Sequence, residues 1–198
     1  MLYDDVVDTK KLTLNTIGNM ELSSALHLDF GLTYSQLLTE NYARIDNLLG
    51  ADLHRDIDPF SDTQNDINGT IDKREGDKFS YAYEVEASKI EGFAQLQFSK
   101  KRWDAFLAGR FSNSSFQRVG TFQNERYLSS SFGESEKIDF SNSAFKGGLA
   151  FKLNGRHSFV WNGAFLNSSP ALQHIFINPR ENNQVVPDLK KERITSTD

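Results

Sequence analysis

The sequence predicts an all-β fold, an antiparallel meander of about six or seven strands from a transmembrane β-barrel, with long extracellular loops that carry short helices. Three observations predict it. Apolar and polar residues alternate in several runs, as half-buried strands require. Connections between those runs are alternately short and long. Mean hydropathy is only −0.52 although aromatic residues make up 12% of the chain, the combination given by strands with one apolar face joined by polar loops.

The first strand falls near 11–20, where Leu12, Leu14 and Thr16 alternate with Lys11, Thr13 and Asn15. A short connection around Glu21–Ser24 leads to a second strand near 26–35. There Leu26, Leu28, Phe30, Leu32 and Tyr34 alternate strictly with His27, Asp29, Gly31, Thr33 and Ser35. Residues 36–77 read as a long loop. Within it Tyr42, Ile45, Leu48 and Leu49 have helical spacing ending at Gly50, which predicts one short helix.

The third strand spans about 78–99. Phe79, Tyr81, Tyr83 and Val85 share one parity, and Ala94, Leu96 and Phe98 the other. That shift near 88–90 predicts a β-bulge. The basic turn Lys100-Lys101-Arg102 opens a fourth strand near 103–116, with Trp103, Ala105, Leu107, Gly109 and Phe111 on one side. A second long loop covers 117–143. Strands near 144–153 and 157–166 then flank Asn154-Gly155, a pair that predicts a hairpin with a type I′ turn. In the third loop, 167–191, Ser169-Pro170 can cap and start a short helix carrying Leu172, Ile175 and Phe176. Residues 192–198 read as the beginning of another strand.

Unstructured segments of this length are unusual in compact soluble domains. Short turns alternating with long loops are the arrangement of outer-membrane barrels. On that reading Phe145, Leu149, Phe151, Phe159 and Phe165 face lipid, and Lys146, Lys152 and Asn162 face a wet lumen. Trp103 and Trp161 fit the interfacial aromatic girdles. No apolar run approaches the roughly 18 residues of a membrane-crossing helix. In a soluble sandwich the same lysines would face solvent, so alternation alone is neutral and the loop rhythm decides.

Charge and motifs exclude other classes. The net charge of −5 resides in residues 36–78, which hold ten acidic and five basic residues. No basic patch marks a nucleic-acid partner. The chain has no cysteine, hence no disulfide framework or thiolate metal site. Its N-terminus lacks the basic and apolar regions of a signal peptide. Asn68, Asn113 and Asn167 sit in glycosylation sequons that an Asn- and Ser-rich chain produces by chance. His27, His54, His157 and His174 are scattered without ligand spacing, and neither a nucleophile elbow nor a phosphate loop is present. No catalytic residue and no cofactor are expected.

Four segments carry a family resemblance: ENYARIDNLLGAD (40–52), GFAQLQF (92–98), RWDAFLAGRFSNSSFQRVG (102–120) and FKGGLAFKLNGRHSFVWNGAFLNSSPALQHIFINPRENNQVV (145–186). The chain resembles part of the barrel domain of TonB-dependent outer-membrane receptors of the Bacteroidetes type. The resemblance implies a barrel of about 22 strands around a plug, placed in outer-membrane lipid and energised by TonB through the plug. It also implies uptake of a scarce nutrient of the siderophore, cobalamin, glycan or peptide class. Residues 1–198 supply too few strands for such a barrel, and no plug or TonB box is found. The chain is expected to be an internal or truncated part of a receptor.

Two groups are candidate sites. Arg110, Lys146 and Lys152 fall on the lumen side and could meet an anionic solute or balance Asp29, Asp104 and Glu84. Asp56, Asp58, Asp62 and Asp66 supply hard oxygens suited to Ca²⁺, although their spacing departs from an EF-hand loop. The more ordinary reading of those aspartates is a solvated acidic loop. A soluble or surface β-sandwich with a binding or adhesion role is the alternative class. A hydrolase would need paired carboxylates, and no pair stands out.

Overall fold

A computed structural model describes residues 1–198. The chain is all-β. Its long strands are β1 (Leu2–Ser23), β2 (Leu26–Asn47), β5 (Lys78–Lys100), β6 (Trp103–Gly120), β8 (Ile138–Lys152), β9 (Ser158–Ser168) and β10 (Glu192–Thr197). These form one antiparallel sheet in the order β1-β2-β5-β6-β8-β9-β10, a meander in which each strand pairs with its neighbours along the chain. Three two-residue pieces belong to the loops. β3 (His54–Arg55) and β4 (Asp72–Lys73) make a separate ribbon, and β7 (Gly133–Glu134) adds to the end of β6. Strands β1 and β10 are the open edges of the sheet.

The predicted strands exist, but several are longer. β1 begins at Leu2, β2 runs to Asn47 and β6 to Gly120. The long loops therefore shrink to 48–77, 121–137 and 169–191. The helix predicted around 42–50 is absent. Ala43 and Ile45, both 1% exposed, alternate inward as strand residues. The strand then ends in a tight turn with Leu49 at φ 54° and Gly50 at φ 92°. In the third loop a single 3₁₀ turn, Leu172–His174, replaces the short helix, and Ala171 rather than Ser169 precedes it.

The predicted bulge near 88–90 is also absent. Pairing between β2 and β5 is continuous from Leu26↔Phe98 to Tyr42↔Ala82, and the irregularity lies beyond it, where Ser80 adopts φ 62°. The apolar residues change sides for another reason. In the lower half of β5, Ile90, Ala94, Leu96 and Phe98 lie on the sheet's outer face. In its upper half Tyr81, Tyr83 and Val85 lie on the inner face and are buried beneath the loops. One regular strand thus carries two patterns, each set by what its surroundings cover.

The Asn154-Gly155 hairpin forms without a type I′ turn, since neither residue has positive φ. Leu153 and Asn154 donate to the His157 carbonyl at 3.0 and 3.3 Å. Asn154 Oδ1 accepts from the backbone of Arg156 and His157 at 2.9 and 3.0 Å. This is a wider loop closed by an Asx side chain. The basic turn matches its prediction: Lys100 pairs with Trp103 around Lys101, whose φ is 55°.

Candidate functional site

The register sorts the sheet into two faces. The outer face of the lower half carries Leu12 to Met20 on β1, Leu26 to Tyr34 on β2, Ile90 to Phe98 on β5, Trp103 to Phe111 on β6, Phe145 to Phe151 on β8 and Phe159 to Phe165 on β9, counting alternate residues. No charged side chain interrupts this band. Its large residues are exposed, among them Leu107 (66%), Phe159 (67%) and Trp161 (56%). Above the band the same face becomes charged, with Arg44 3.0 Å from Asp4 and Lys78 paired with Glu40.

The inner face of the lower half is polar. Arg110, Lys146 and Lys152 all lie on it, as predicted from parity. Arg110 Nε is 3.8 Å from Glu91, which also takes Lys89 at 2.6 Å. Lys152 pairs with Asp104, whose other contact is Ser99 Oγ at 2.6 Å. Lys146 lies 6.0 Å from the Phe106 ring. Arg110 and Lys146 occupy adjacent inward rows, since Ala108 pairs with Lys146 and Arg110 with Ala144. Lys152 sits near the short turn, away from them. A hollow of about 290 Å³ crosses this face from Lys11 on β1 past Lys89 and Arg110 to Asn167 on β9.

The loops fold over the inner face of the upper half. One apolar cluster joins Ala43, Ile45, Leu48, Phe79, Tyr81, Tyr83 and Val85. A second joins Phe140, Ile175 and Phe176, and Leu172 packs against both. Between the loops stands Arg118, 1% exposed. Its Nε donates to the Pro179 carbonyl at 2.6 Å, and Nη1 donates to the Ser131 carbonyl at 3.1 Å and to Asn183 Oδ1. The guanidinium lies 5.0 Å from the Tyr83 ring centre. Burial pushes the Arg118 pKa down to about 10, which leaves it charged at neutral pH. Gly120 is needed beside it, because a Cβ there would sit 1.7 Å from the Ser131 carbonyl oxygen.

The four aspartates of 56–66 do not converge, and no three His, Asp or Glu side chains gather into a metal-holding group. Asp56, 2% exposed, accepts from Asn65 Nδ2 at 2.8 Å and from the Ser80 backbone at 2.9 Å. It thereby satisfies the N–H that the β5 irregularity frees. Asp58 accepts from the Phe60 backbone and the Ser61 hydroxyl, both at 2.9 Å. The Phe60 bond first, and Ser61 with it, holds the Asp58 pKa below its ordinary value. Asp66 accepts from the backbones of Asn68 and Gln123, both at 3.1 Å. Asp62 occupies a turn at φ 54°. Asp56, Asp58 and Asp66 act as loop-shaping acceptors, each in a different place.

Sequence reasoning missed the groups that assemble around Tyr81. Its hydroxyl donates to Asp5 Oδ1 at 2.8 Å. Arg180 lies 3.4 Å from Asp5 Oδ2 and 4.5 Å from the Tyr81 ring centre. Burial, followed by the bond to Asp5, raises the Tyr81 pKa. Asp5 belongs to β1 and Arg180 to the loop between β9 and β10, so this contact ties the two sides of the sheet across its inner face. Next to it opens a cleft of about 490 Å³ walled by His54, Asp56, Phe60, Tyr81, Asn178 and Arg180.

No family model, no curated protein and no solved structure matches the chain.

Proposed function

We propose that this chain is a section of an outer-membrane receptor of the TonB-dependent kind, with the lower half of the sheet as barrel wall and the loops as part of the ligand-facing vestibule. The observation that carries it is the uncharged apolar band on the outer face, set against a polar inner face at the same level. A strand such as Leu26–Tyr34 offers nine residues with five outward apolar positions, the length of a membrane-crossing strand at about 9–11 residues.

The band also slants. Leu14 pairs with Tyr34, Tyr34 with Ile90, Ile90 with Asn113 and Asn113 with Ser141. Along that line the apolar outer residues start at Leu12, beyond Leu14, and end at Phe111 and Phe145, short of Asn113 and Ser141. The slip is about six residues over four strand steps, or roughly 20 Å along the strands against roughly 19 Å across them. A horizontal membrane therefore crosses the strands at about 45°, the tilt of transmembrane barrels. Polar groups on the inner face, Lys11, Glu91, Arg110 and Asp104 among them, suit a hydrated lumen or the surface of a plug. Energised uptake of a scarce nutrient then requires the plug, TonB and the strands that close the barrel.

The test is a pair of substitutions three residues apart on β8, measured by refolding into lipid vesicles. Leu149→Arg, on the outer face, is expected to cost about 2–4 kcal/mol. Lys152→Gln, on the inner face, loses only an exposed ion pair with Asp104 and is expected to cost below about 1 kcal/mol. Equal losses would remove the reading.

A further inference from the structure

We propose that the cleft beside Tyr81 binds a ligand bearing a primary ammonium next to an apolar or aromatic group, which deepens the receptor reading above and rests on it. Three features carry this. Asp56 lines the cleft, is 2% exposed, and has Oδ1 occupied by Asn65 and Ser80 while Oδ2 has no partner. A buried carboxylate oxygen without a donor is unfavourable, and a charged donor from a ligand relieves it. Arg180, in the same wall, is engaged with Asp5 and the face of Tyr81.

The second feature is Phe60. It is 96% exposed at the tip of the first loop, yet its backbone is fixed by the bond from its N–H to Asp58 Oδ1. An uncovered phenyl ring on a fixed stretch of backbone beside the cleft is a ready apolar contact. The third is composition. His54, edge-on to Phe79 at 5.4 Å, and Tyr81 add aromatic surface around the same space. A buried acid and several aromatic groups lining one cleft match a cation carried on an apolar body.

The probe is 2-phenylethylamine, compared with the isosteric but neutral 2-phenylethanol, titrated calorimetrically against the full chain folded in detergent micelles at neutral pH. The amine is expected to bind at least about tenfold more tightly than the alcohol, the discrimination of one hydrogen bond to a charged group. Asp56→Asn keeps the Oδ1 acceptor and should abolish that preference. Phe60→Ala, at an exposed position that leaves folding intact, should weaken both probes. Equal affinities for amine and alcohol, no binding of either, or a preference that survives Asp56→Asn would overturn the proposal. If the chain instead stays out of micelles as a soluble monomer, the membrane reading fails, and the same titration in water still decides the cleft.

Discussion

Arg118 is a buried cation with no carboxylate beside it, held by two backbone carbonyls, an asparagine oxygen and a tyrosine face. Those acceptors come from loops 121–137 and 169–191, so one side chain on β6 joins both loops to the sheet. Replacing it with methionine keeps most of the volume and removes every donor. Each buried acceptor left without a partner costs about 1–3 kcal/mol. Because the loops can loosen and admit water, we expect Arg118→Met to cost about 3 kcal/mol in all. Limited proteolysis checks it: cleavage within 121–137 and 169–191 should accelerate while the strands below stay protected. Unchanged cleavage would mean the guanidinium holds nothing. At this scale the sequence is least informative. Arg110 and Lys146 are marked as inward by strand parity, whereas the partners of Arg118 and Asp56 come from segments far apart in the chain, and no local pattern announces them.

Strands are the most legible elements, and the way their prediction failed is instructive. Alternation in 26–35 and 103–111 names the outer face correctly. It stops being readable where the strand leaves the apolar band, because there the inner face becomes the buried one. Tyr81, Tyr83 and Val85 against Leu96 and Phe98 look like a slip in register and are a change of environment along one unbroken strand. The same change hid residues 36–47, where Ala43 and Ile45 point inward under the loops and Ile45 imitates a helical stripe with Tyr42, Leu48 and Leu49. A depth series along β5 tests this account. Ala94→Arg, at the middle of the band, should cost about 2–4 kcal/mol on refolding into vesicles, and Ser88→Arg, just above it on the same face, about 0–1 kcal/mol. A flat profile would place the boundary elsewhere.

For the whole molecule, the open edges matter as much as the faces. β1 and β10 each leave one side of the ladder unpaired. In hydrocarbon such groups cost several kcal/mol apiece, so both edges must find partner strands there, from a second copy where this chain refolds by itself. In water the long β1 edge and the exposed apolar band would recruit other copies. The meander order and the alternation of short and long connections are visible in the sequence. The barrel closure and the ligand that we propose have no such local signature. What this chain does carry is a reporter for the proposed lipid-facing side. Its two tryptophans, Trp103 and Trp161, both lie on the outer face. Trp103 stands beside the Lys101-Arg102 turn, as a girdle residue would, whereas Trp161, paired with Leu149, lies farther from the short turns than the girdle expected of it. Fluorescence of Trp103→Phe and Trp161→Phe variants in vesicles of brominated phospholipid measures this directly. Both remaining tryptophans should be quenched by bromine, Trp103 more by bromines near the headgroups and Trp161 more by bromines deep in the acyl chains. Quenching of both by aqueous iodide, with none from the brominated lipid, would contradict the account.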